Sequence, residues 1–158
     1  MWSDYWIRQV LPLLENMLNL LQEENSSCVI LKDNALFYCS SFIGVKPLLH
    51  FMERFGEAGI PENLILVDKV IGKAALLLAV KMGIREIYTP LTSLSAVAAA
   101  DFHGVRLRAK ETVPYIVNRE KTGMCPLEQS VVHTEDPEEA LKCIRAAIAV
   151  LMAQKSVS

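Results

Sequence analysis

The sequence has no Cys-x-x-Cys pair, no basic run longer than two residues and no long uncharged apolar stretch. Each absence removes a class of protein. Zinc fingers and dithiol redox centres need closely spaced thiols, whereas Cys28, Cys39, Cys125 and Cys143 stand far apart. Duplex nucleic acids and anionic membranes are met by clustered Lys and Arg; here 16 basic and 18 acidic residues give a net charge of -2. A membrane span needs about 18 apolar residues in a row. Leu11-Pro12-Leu13-Leu14 is apolar, but Asp4 and Glu15 flank it and Asn16 and Asn19 interrupt it, without the basic start or cleavage site of a leader. The expectation is a cytoplasmic protein with reduced thiols and neither membrane nor nucleic-acid duplex as partner.

What the sequence does have is apolar material. Hydrophobic residues make up 52% of 158, enough for one domain to bury a core without disulfides or metals. A mean hydropathy of +0.28 is high for a monomer and leads us to expect a homodimer.

The pattern along the chain alternates. Trp6, Val10, Leu14, Met17 and Leu21 form a helical stripe over residues 5–24, with Pro12 inside it. We read residues 1–26 as a helix packed on a domain formed by 27–153. Cys28-Val29-Ile30-Leu31 and Leu36-Phe37-Tyr38-Cys39 flank a turn and predict a hairpin in which Cys28 faces Cys39. A helix follows over 47–55, then the continuous apolar run Leu64-Ile65-Leu66-Val67, the mark of a strand buried on both faces. Helix 72–82, strand 86–88, helix 93–102, strand 105–109 and an extended segment 113–117 come next. A short helix over 126–132 and a long one over 136–153 complete the chain, the latter capped by Asp136 with Pro137 at its first position. An antiparallel hairpin feeding βαβ crossovers predicts an α/β fold with a mixed sheet between helix layers.

This order, with Val67-Asp68-Lys69-Val70-Ile71-Gly72-Lys73-Ala74-Ala75, Pro114-Tyr115-Ile116-Val117-Asn118-Arg119 and Thr122-Gly123-Met124-Cys125-Pro126-Leu127-Glu128, resembles a small uncharacterised prokaryotic family. That family, a domain of unknown function, is assigned to the cytidine deaminase-like superfamily. The resemblance spans about residues 28–145 and implies a cytidine deaminase-like three-layer α/β/α fold; it implies no activity. Zinc deaminases carry His or Cys, then any residue, then Glu at the start of one crossover helix, and Pro-Cys-x-x-Cys at the next. Aligned on the helix stop at Gly83, those places hold Val70-Ile71-Gly72 and Pro90-Leu91-Thr92-Ser93-Leu94, with leucine at both cysteine positions. We therefore expect no zinc deamination and no resident metal or cofactor.

The chemistry-bearing residues cluster in two stretches. Asp68-Lys69 ends the central strand and Gly72-Lys73 opens the next helix, where strand ends and free helix amides receive anions. Gly72 permits close approach, and Lys69 or Lys73 can meet a phosphate or carboxylate; equally, Asp68 can cap the helix while the lysines are solvated. Asn118 and Arg119 offer donors for a carboxylate, phosphate or base edge, or Arg119 pairs with Glu120 or Glu128. Cys125 precedes Pro126 at a helix start and is a nucleophile candidate, with Glu128 as acid/base; the plainer reading is a buried thiol and a structural cap. His50, His103 and His133 read as surface histidines.

Three functions fit. The first is a metal-independent enzyme on a small anionic or nucleotide-like ligand, using Cys125, Glu128 and Lys73 for catalysis and Asp68, Lys69, Gly72, Asn118 and Arg119 for binding. The second is a non-catalytic sensor or binding module using the same cleft. The third is an oligomeric interaction protein whose apolar N-terminal helix docks another subunit.

Overall fold

The computed structural model describes residues 3–157, and the first two residues of the expected 1–26 segment, Met1 and Trp2, lie outside them. The N-terminal stripe folds as a π-helical turn, Trp6–Val10, running into α1, Leu11–Glu23. Pro12 lies where the π-helical turn runs into α1, and the wider turn before it accommodates a ring that has no N–H to donate. Leu14 and Leu21 bury against one sheet face, on Val29, Leu31, Val67 and Tyr88.

The hairpin is β1, Cys28–Lys32, and β2, Ala35–Ser40, joined by Asp33 and Asn34 with φ of 51° and 65°. Two left-handed residues make the turn whose twist matches paired strands. The predicted Cys28–Cys39 apposition does not occur. A register shift at Ile30/Leu31 slides the strands by one residue, so Cys28 faces Ser40 and Val29 faces Cys39.

After α2, Lys46–Phe55, the strand β3, Leu64–Asp68, pairs antiparallel with β1. A two-residue strand, β4, Val70–Ile71, leads into α3, Lys73–Lys81. Then come β5, Glu86–Ser93; α4, Leu94–His103; and β6, Arg106–Val113. The last two helices are α5, Pro126–Gln129, and α6, Pro137–Val157. The result is a six-stranded mixed sheet. β5 runs parallel to β6 on one edge, and on its other edge parallel to β3 and then β4.

Strand β5 is far longer than the three residues expected, because Pro90 does not end it. Pro90 falls where the neighbour changes from β3 to β4 and pairs with no residue of β6 either, so the missing donor interrupts no ladder bond. β6 likewise continues through the charged Lys110 and Glu111, whose side chains face solvent. α3 is apolar all round and is buried from Lys73 to Ala79, lying in the core between the sheet and α6. Among the described residues no helix is long and apolar enough to cross a membrane.

Candidate functional site

Parallel β3, β5 and β6 end on the same side of the molecule, and two helices start there. β4 sets the two crossovers side by side: Val70 pairs with Leu91 and Ile71 with Thr92. The Thr92 hydroxyl donates to the Ile71 carbonyl at 2.5 Å.

The amino end of α3 is closed from within. Glu128 on α5 places its carboxylate on the first helical amides, accepting from Lys73 N–H at 2.6 Å and Ala74 N–H at 3.0 Å. These are the donors an anionic ligand would use, and a side-chain anion already holds them. Gly72 is the residue that admits it. A Cβ at this position would stand 2.3 Å from Glu128 Oε1 and 2.5 Å from Cδ. Burial pushes the Glu128 carboxyl above its ordinary range, against the pull of the two amides and Lys73. Lys73 is committed as well: its nearly buried ammonium pairs with Glu135 at 2.8 Å.

Asp68 is buried at the end of β3. Its Oδ1 accepts from Val70 N–H at 3.3 Å, while Oδ2 has no partner of hydrogen-bond geometry among the described residues. Removal from water raises its carboxyl to about 7, outweighing that amide, the Cys28 thiol and Lys69. Burial, and then the charge of Asp68, in turn raise the thiol of Cys28.

The Pro114–Arg119 and Thr122–Glu128 motifs are two arms of one hairpin-like loop. Val117 bridges to Met124, Cys125 N–H donates to Ile116 O at 2.9 Å, and Asn118 N–H to Gly123 O at 2.9 Å. The Asn118 side chain turns inward, its Oδ1 accepting from Thr122 N–H and its Nδ2 donating to Thr122 Oγ1, so it shapes the loop tip. Cys125 is the half-buried residue before α5. Lys69 and Arg119 are exposed and make no ion pair among the described residues.

The structure thus joins Gly72, Lys73 and Glu128 in direct contact, buries Asp68 beside Cys28, and leaves Lys69 and Arg119 facing water. Among the described residues, two concavities of about 200 and 620 Å³ contain none of these residues; the second is lined by Asn34, Asn63, Arg85 and Glu86 at the opposite end of the sheet. The histidines are less isolated than their spacing suggested. His50 packs edge-on against Phe42, and His103 Nε2 lies 2.7 Å from the Glu135 carbonyl. His133 lies beside Glu139 and Cys143. That group was missed because His133 precedes α6, and only the turn between them brings it onto the 139/143 face.

Residues 16–148 match the family model described as TM1506, domain of unknown function (DUF1893). A crystal structure of a DUF1893 family protein, TM1506 from Thermotoga maritima, is similar: 25% identical, with a TM-score of 0.71, over 88% of this chain and 90% of that one. No curated protein matches.

Proposed function

Since the chain belongs to the DUF1893 family, a domain of unknown function, we propose from its geometry that it is a non-catalytic module binding a small anionic or nucleotide-like molecule. The observation that carries this reading is the commitment of two of the three groups assigned to catalysis. Glu128 is fixed on the α3 amides and Lys73 on Glu135, so neither is poised for a substrate. Catalysis also benefits from a site that excludes water, and the remaining cations are on the outside. Lys69, after β3, and Arg119, at the loop tip, supply positive charge suited to a phosphate or carboxylate held at the surface. We read the fold itself as cytidine deaminase-like, supported by the hairpin-then-crossover order and by the adjacency of Val70–Ile71 to Leu91 and Thr92. Exposed Leu94 and Phe102 support the expected homodimer.

Thermal unfolding with inorganic phosphate and adenosine monophosphate tests the reading. A ligand at 100 times its Kd stabilises by about 2.7 kcal/mol, a rise in Tm of about 5–10 °C at this size. The rise should vanish in K69A/R119A, whose unliganded Tm should match the wild type. No rise with either anion, or the same rise in the double variant, contradicts the proposal. Turnover of a bound nucleotide that stops in C125A would replace it with the enzyme reading.

A further inference from the structure

We propose that His133, Glu139 and Cys143 form a zinc site at the start of α6, separate from the strand-end site. The three side chains present imidazole, carboxylate and thiol, the donor set zinc accepts. Their ligand atoms all lie within 4.8 Å of one another. His133 Nε2 is 3.5 Å from Glu139 Oε1 and 4.0 Å from Cys143 Sγ. Donors around a tetrahedral zinc, at bond lengths of 2.0–2.3 Å, stand about 3.3–3.8 Å apart, so the His133 pairs are close to that spacing and closing the whole set on the ion needs side-chain shifts of up to about 1 Å.

The backbone prepares this arrangement. Glu139 and Cys143 are one turn apart on α6, so their side chains share a face. The turn that precedes the helix returns His133 to that face. Glu139 is also oriented: the buried Thr134 hydroxyl donates to its Oε2 at 3.0 Å, leaving Oε1 toward the imidazole. A hydroxyl that fixes the far oxygen of a carboxylate is the kind of outer contact that metal ligands carry. Cys143 packs on the core, which limits the thiol's freedom, while His133 and Glu139 are half-exposed. Zinc would therefore hold three protein donors and one water. On binding, the thiol loses its proton to solvent as Sγ bonds the metal.

The ion would also pin the segment between α5 and α6. That segment carries Glu135, whose carboxylate holds Lys73 and whose carbonyl meets His103. Zinc bound at His133 thus tightens the connection on which the closed end of α3 depends.

Calorimetric titration of the reduced chain with zinc chloride tests the proposal. We expect one zinc per chain, proton release on binding, and a rise in Tm of about 5–10 °C at 100 times the Kd. H133A and C143S should each weaken binding by at least about 100-fold, and T134V by about 10-fold. Cobalt in place of zinc should show a thiolate charge-transfer band that C143S abolishes and C39S/C125S retains, with circular dichroism confirming that each variant is folded. No binding, a cobalt spectrum without the thiolate band, or affinity unchanged in folded C143S overturns the site.

Discussion

The two crossovers at the carboxyl edge of the sheet have the same backbone plan and opposite chemistry. Each is a strand followed at once by a helix. At the first, the buried polar groups are Asp68, Lys73 and Glu128; at the second they are Thr89, Thr92 and Ser93. α4 is capped locally, Ser93 Oγ accepting from Ala96 N–H three residues on at 3.2 Å. α3 has no cap of its own, because its N-cap residue is Gly72, and it takes a carboxylate from more than fifty residues away. The lesson is that one geometric requirement, satisfying the first amides of a buried helix, can be met by a neighbour's hydroxyl or by a distant anion. Only the second solution ties the stability of the core to ionisation.

That contrast predicts where pH acts. Asp68 titrates at about 7 when folded, against an ordinary 3.8. Between these values the folded protein keeps a proton that the unfolded chain has released. Stability from this group is therefore complete below pH about 4 and lost as pH rises through 7, by about 4 kcal/mol in all. Glu128, also raised, acts in the same direction. Urea melts from pH 4 to 8 should show this fall in the wild type and a shallower one in D68N. Parallel curves for the two proteins would mean that the first crossover carries no special charge cost.

Removing the distant cap should be the next largest effect. E128A leaves two buried amides without a partner and should cost about 3 kcal/mol, or about 6–12 °C in Tm. G72A should follow at about 2 kcal/mol, since the added methyl displaces the carboxylate from those amides. Its cost should nearly disappear when E128A is already present, a coupling that a double-mutant cycle measures. S93A, the matching change at the second crossover, should cost about 1 kcal/mol and behave additively with E128A. If S93A proved as damaging as E128A, the comparison between the two ends would fail.

How much of this could be read from the chain follows the same division. Local signals carried through: Asp136 caps α6, its Oδ1 accepting from Glu138 N–H, with Pro137 at the first position. The apolar run at 64–67 is the doubly covered central strand, and the Ala/Leu-rich segment after it is the buried helix α3. Signals that depend on a partner did not. Pro90 reads as a breaker in isolation and is harmless only because neither neighbouring strand uses it. Turn spacing alone put Cys28 opposite Cys39, and the bulge that separates them has no sequence mark as clear as a glycine. Gly72 was legible as a point of close approach, but nothing local could say that the approaching group is Glu128 rather than a ligand. Lys73 was legible as a cation at the helix start, but neither its burial nor its partner Glu135, far beyond any helical spacing, was.

The most direct test of the account is amide hydrogen exchange at Lys73 and Ala74, read residue by residue by NMR. If Glu128 closes this helix end, both amides are strongly protected in the wild type. In E128A they exchange faster by at least about 10-fold relative to Ala96 at the other crossover, the equivalent of about 1.4 kcal/mol. Open, rapidly exchanging amides in the wild type, or protection unchanged by E128A, would contradict the claim that the protein's own carboxylate occupies the place of an anionic ligand.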